Sequence, residues 1–182
     1  MPTRIIIGGP PNSGKSTLAE SLAKALRAIG VDAYAEDLDL ASQTLEFIRG
    51  EKAWKLRAKG KKQWTTRLAE EAASKFEDAS SKHKVVIGDA PGKITSESQK
   101  IAEKDAIILC RDDCSEEMKN WQKFFEQLNI PIICMATSKM KGTGSIKVNG
   151  VIEATIIGLN RKPKIDDEIL GIALFIKERL DL

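Results

Sequence analysis

Residues 8–17 read GGPPNSGKST, directly after the apolar run Thr3–Gly8. Gly9, four further residues, then Gly14-Lys15-Ser16 is a spacing with a chemical purpose. Glycines let successive backbone N–H groups turn toward phosphate oxygens, a helix starting near Lys15 adds the positive end of its dipole, and the lysine reaches the β- and γ-phosphates. The flanks agree, with a strand-like run before the loop and a helical stretch after it. That stretch places Leu18, Leu22, Ala25, Leu26 and Ile29 on one face and stops at Gly30. The loop therefore assigns Gly9, Pro10, Pro11, Asn12, Ser13, Gly14, Lys15, Ser16 and Thr17 to a nucleoside triphosphate, with Ser16 as a Mg²⁺ ligand.

Working outward, apolar runs recur at Val31–Ala35, Lys84–Gly88, Asp105–Cys110 and Ile130–Met135, each followed by a helical segment. One such segment carries the stripe Trp121, Phe124, Phe125 and Leu128. Continuous rather than alternating apolar strands separated by helices predict a mostly parallel sheet of five strands, covered on both faces in an α/β three-layer sandwich. Ser145–Val148, Asn149-Gly150 and Val151–Ile157 read as a C-terminal antiparallel hairpin with a type I′ turn, and Ile165–Leu180 as a closing helix.

With 182 residues and 42% hydrophobic composition, the chain suits a single domain over residues 1–182, with a basic helical insertion at about 41–82. Charged residues make up 30% of it yet nearly cancel, to +3, so only a local excess can point to a polyanion. The start MPTR leads straight into the first strand, and no run of about 18 apolar residues occurs, so a cytoplasmic protein with no membrane partner is expected. Cys110, Cys114 and Cys134 suit reduced thiols.

The stretch KVVIGDAPG (84–92) delivers Asp89 to a strand end, where a carboxylate can hold a Mg²⁺-bound water. Asp-Ala-Pro-Gly also has the DxxG form, in which the Gly92 amide meets a γ-phosphate; a plain Pro-Gly turn is the alternative. In YAEDLDL (34–40), Asp37 or Asp39 either faces an acceptor hydroxyl or caps a helix N-terminus. From Arg49 to Arg67, eight cations meet one acid, Glu51, and interleave with Trp54 and Trp64. That pattern fits a nucleotide or RNA acceptor, with Arg57 neutralising developing charge, or else a solvated face with the tryptophans turned inward. Thr137 and Lys139, after the fifth strand, are candidates for a purine slot. The absence of an NKxD string favours ATP, with GTP the second choice.

In order, GGPPNSGKST, RAKGKKQWT, VVIGDAPG, AIIL before a Trp-bearing helix, and NGVIEATIIGLNR make the chain resemble the P-loop module fused to some CRISPR-associated ring nucleases. The resemblance implies a P-loop NTPase of the nucleotide-kinase-like group. The resulting expectation is a Mg²⁺- and ATP-dependent phosphotransferase or ATPase with Lys15, Asp37, Asp89 and Arg57 catalytic. The alternative is a nucleotide-regulated switch, or an RNA-associated accessory protein of a CRISPR-type system.

Overall fold

The computed structural model describes residues 2–50, 64–102, 104–160, 162–179 and 181. Seven strands form one sheet: β1 (Thr3–Gly8), β2 (Ala33–Asp37), β3 (Val85–Asp89), β4 (Asp105–Arg111), β5 (Ile132–Lys139), β6 (Ser145–Asn149) and β7 (Val151–Ile157). Their order is β2-β3-β1-β4-β5-β7-β6. The sheet has seven strands rather than five because the C-terminal hairpin, expected as an antiparallel addition at the sheet edge, is part of it. Its second strand, β7, joins β5 in parallel register, leaving β6 as the antiparallel edge. The hairpin tip also differs from a type I′ turn. Only Gly150 takes a positive φ there, 77°, and Asn149 pairs directly with Val151 across it.

Two cores lie on opposite faces. On one, Ile5, Ile7, Ile87 and Ile107 pack against Leu18, Leu22 and Leu26 of helix α1 (Lys15–Ala28), and Ile152 and Ile156 join Ile169, Ile172 and Ile176 of α5 (Asp167–Arg179). On the other, Ile6, Val86 and Ile108 meet Phe76 of α3 (Thr66–Ser80) and Trp121 and Phe125 of α4 (Ser115–Gln127). The short helix α2 (Thr44–Ile48) adds Leu45 to the first core. Each fully buried leucine of α1 contributes on the order of 1.5–3 kcal/mol. Helix α1 then stops as its sequence asks: Gly30 takes φ 86°, Val31 N–H reaches back to Leu26 O at 2.9 Å and Gly30 N–H to Arg27 O at 3.1 Å.

Coverage of both faces fails at one end. β7 alternates, turning Ile152, Ala154 and Ile156 inward while Glu153 and Thr155 face away from α5, beside the exposed residues of β6. Burial in the sheet also pushes the Cys110 and Cys134 thiols up to about 12, which keeps them protonated.

Candidate phosphate and metal site

β1 lies between β3 and β4, so the loop leaving it emerges at the centre of the sheet, beyond the carboxyl ends of the strands. Gly9 (φ 149°), Asn12 (φ 61°) and Gly14 (φ 98°) give this loop three left-handed or extended positive-φ residues within six. A side chain at Gly9 is impossible, since its Cβ would lie 1.9 Å from Leu109 O of β4. Helix α1 then begins at Lys15 with no side-chain cap and no acid in its first turn. Its free N–H groups and dipole therefore face the loop, the arrangement that binds an anion.

Other elements brace this cradle. Ser138 Oγ, from β5, donates to Ser13 O at 2.8 Å, and Leu159, just after β7, packs against Gly14, where an added Cβ would sit 2.9 Å from Leu159 Cβ. The Ser13 hydroxyl is buried without a partner. Lys15 is 7% exposed and its ammonium donates to Pro10 O at 3.0 Å. Burial lowers its pKa, while Asp89, Asp39 and Cys110 nearby oppose the shift. Such a desolvated cation is poised to accept an anion.

Acidic groups gather on the β3 side. Asp37 and Asp89 end adjacent strands at the same register position, and both are buried. Asp37 accepts from Asp39 N–H at 3.1 Å and from Leu45 N–H at 2.8 Å. Burial raises its pKa well above the usual carboxylate range, and Asp89 and Asp39 push in the same direction; the two hydrogen bonds pull the other way. Asp39 is less buried and accepts from Ser42 Oγ at 2.5 Å through Oδ2. Beyond Asp89 the chain folds back over the cradle. Gly92 lies so close that an added Cβ would stand 2.7 Å from Pro11 N and 2.8 Å from Pro11 Cα.

Two buried carboxylates at one register position, Asp37 and Asp89, are a setting that a divalent cation relieves. Ser16 and Asp89 are the residues that would hold Mg²⁺ together with nucleotide phosphates. Among the described residues no group of three or more His, Cys, Asp or Glu could hold a metal ion by itself.

Several sequence expectations land elsewhere. Thr137 faces away from the cradle: its side chain lines a cavity of about 340 Å³ with Met118, Met135 and Thr155 on the other face. The neighbouring Ser138 makes the loop contact instead. Lys139 stands at the end of β5 with its ammonium 3.9 Å from Asp112. Arg57, Trp54 and most of the basic segment lie outside the described residues. At the edges of that segment, Trp64 packs against the α3–α4 core and Arg49 is bound to Glu20, so neither is displayed for a polyanion. No sequence pattern gave Glu20, Arg49, Ser138 or Leu159 the contacts they make, which join segments distant in the chain.

The chain matches a family model described as 50S ribosome-binding GTPase over residues 4–138. No curated protein matches it. Among solved structures it is similar to the septum site-determining protein MinD of Pyrococcus horikoshii, complexed with Mg-ADP. That likeness has 16% identity and a TM-score of 0.59, over 76% of this chain and 70% of that one. A plasmid partition protein of Borrelia burgdorferi bound to AMPPNP aligns at 16% identity and TM-score 0.61, over 98% of this chain and 99% of the other. The signal recognition particle 54 kDa protein of Aeropyrum pernix, in complex with GDP, aligns at 16% identity and TM-score 0.59, over 99% of this chain and 49% of that one. These likenesses show the fold; the kinase-like group and the CRISPR-associated module are not carried by them. With the cradle, the sheet and the family match in agreement, the chain belongs to the P-loop NTPases, in the family described as 50S ribosome-binding GTPase.

Proposed function

We propose that this protein is a nucleoside-triphosphate-dependent switch with slow hydrolysis, reading the γ-phosphate through residues 89–92. The carrying observation is the seat of Gly92 on Pro11, which makes the loop after β3 part of the cradle wall. A phosphate bound in the cradle changes what that loop touches, and order at such a segment is a means of presenting or hiding a partner surface.

In this reading the loop amides and α1 bind the phosphates, and Lys15 leaves Pro10 O to meet them. Ser16 and Asp89 hold Mg²⁺, which neutralises charge on the phosphates when bound. Asp39 orients the attacking water. It is preferred to Asp37 because both Asp37 oxygens already accept backbone N–H groups, whereas Asp39 lies near enough to Lys15 to support its charge. ATP is the preferred nucleotide: the end of β5 reads Ser138-Lys139-Met140-Lys141, and that stretch itself carries no carboxylate to accept the N–H donors of guanine. The family description makes the 50S ribosomal subunit the partner to test first. A phosphotransferase would need an acceptor group at Asp37, and the engagement of that carboxylate favours the switch.

The test is amide hydrogen exchange over residues 89–95 with ADP and with a non-hydrolysable ATP analogue. Protection that depends on the γ-phosphate is expected; equal protection in both states ends the switch reading. Competition between ATP and GTP in the same assay decides the base.

A further inference from the structure

Arg49 belongs by sequence to the basic segment, yet the structure uses it differently. It ends α2, and its guanidinium makes three bonds: Nε to Glu20 Oε2 at 2.9 Å, Nη1 to Tyr34 Oη at 3.0 Å, and Nη2 to Ala35 O. Its charge also lies 4.8 Å from the centre of the Tyr34 ring. Glu20 sits on α1 with its side chain 9% exposed, and Tyr34 and Ala35 lie on β2. One planar fork thus joins the helix that starts at the cradle, the strand that ends at Asp37, and α2.

The other end of α2 is tied to the acidic pair. Leu45, in its first turn and fully buried, donates its N–H to Asp37 Oδ2 at 2.8 Å. With only five residues, α2 has little cooperative stability of its own, so these two tethers add to the buried side chains of Leu45 and Phe47 in holding it in place. Where α2 stands decides where the Leu45 N–H points. Together with the Asp39 N–H on the other oxygen, that bond sets the rotation of the Asp37 carboxylate beside Asp89.

We propose that Arg49 is a positioning residue: clamped to Glu20, it holds α2 so that Leu45 orients Asp37 within the carboxylate group that receives the divalent cation. This rests on the metal reading above. Groups just beyond the metal ligands commonly alter affinity by about 10–100-fold through orientation alone, and Arg49 acts on such a group, Asp37, through α2 and Leu45. Lysine cannot replace the fork, because a single ammonium cannot meet Glu20, Tyr34 Oη and Ala35 O in one plane.

The experiment compares wild type, Arg49→Lys and Arg27→Lys. Arg27 is a control, for it also approaches Glu20, at 3.7 Å, and bonds Ala33 O but does not touch α2. Amide exchange at Leu45 and Asp39 is measured, with Mn²⁺ affinity in the presence of a non-hydrolysable ATP analogue and analogue affinity in EDTA. Arg49→Lys is expected to speed exchange at both amides about tenfold or more and to weaken Mn²⁺ by about tenfold, with analogue affinity in EDTA held within about twofold. Arg27→Lys should move none of the three. Unchanged Leu45 exchange in Arg49→Lys overturns the proposal. So does an equal loss of analogue affinity in EDTA, which would make Arg49 a support of α1. If the wild type itself takes up no Mn²⁺ with the analogue, the metal reading fails instead, and the exchange data still report whether the clamp holds α2.

Discussion

Asp37 and Asp89 stand opposite each other at the ends of β2 and β3, two buried carboxylates at one register position of a parallel pair. Each disfavours the charge of the other, and burial adds to the cost for Asp37.

A pH dependence follows. The Asp37 pKa is raised on folding above its ordinary value of 3.8, so the folded state binds the proton more tightly than the unfolded chain. Its contribution to stability is fully present below that value and is lost as pH rises through the higher folded pKa. Thermal melts from acid to neutral pH should show a smaller fall for Asp37→Asn than for wild type. Mg²⁺ with nucleotide should flatten the wild-type curve and leave the variant nearly unaltered.

Lys15→Ala removes a buried cation that donates to Pro10 O. The melting temperature should therefore move little, whereas triphosphate affinity should fall by on the order of tenfold to a hundredfold, the value of a hydrogen bond to a charged group. Fluorescent-nucleotide titration checks the first figure against thermal melts of the same sample.

Gly92→Ala puts a methyl group 2.7 Å from Pro11 N, too close to remain. The loop should lift from the cradle at a cost of about 1–3 kcal/mol, as overpacking does elsewhere. Nucleotide should still bind, while the difference in exchange between the ADP and ATP-analogue states over residues 89–95 should disappear. Retention of that difference would show that the loop responds through another contact.

Ser138 and Thr137 are neighbours with opposite roles. Ser138→Ala removes the bond to Ser13 O and should cost about 1 kcal/mol of stability and a few-fold in nucleotide affinity. Thr137→Val, on the other face, should leave nucleotide affinity unaltered. A titration of both variants against wild type distinguishes the two faces of β5.

Local patterns made the cradle legible: Gly9, Gly14, Lys15 and Ser16 lie close in sequence, and the strand and helix flanking them obey simple periodicities. For the same reason Asp89 was recognisable at the end of its apolar run, as were the strands and the amphipathic faces of α1 and α4. Sequence did not determine how strands pair. That β7 would lie parallel to β5 depends on nonlocal packing of Ile152 and Ile156 against α5. Nor could it show that Asp37 accepts the Leu45 N–H, which belongs to a backbone eight residues on. The same holds for Arg49: read along the chain it opens a run of cations, and only folding brings Glu20, 29 positions away, within 2.9 Å of it. Motifs are set by neighbours in the chain, whereas the roles of Asp37, Arg49 and Ser138 are set by neighbours in space.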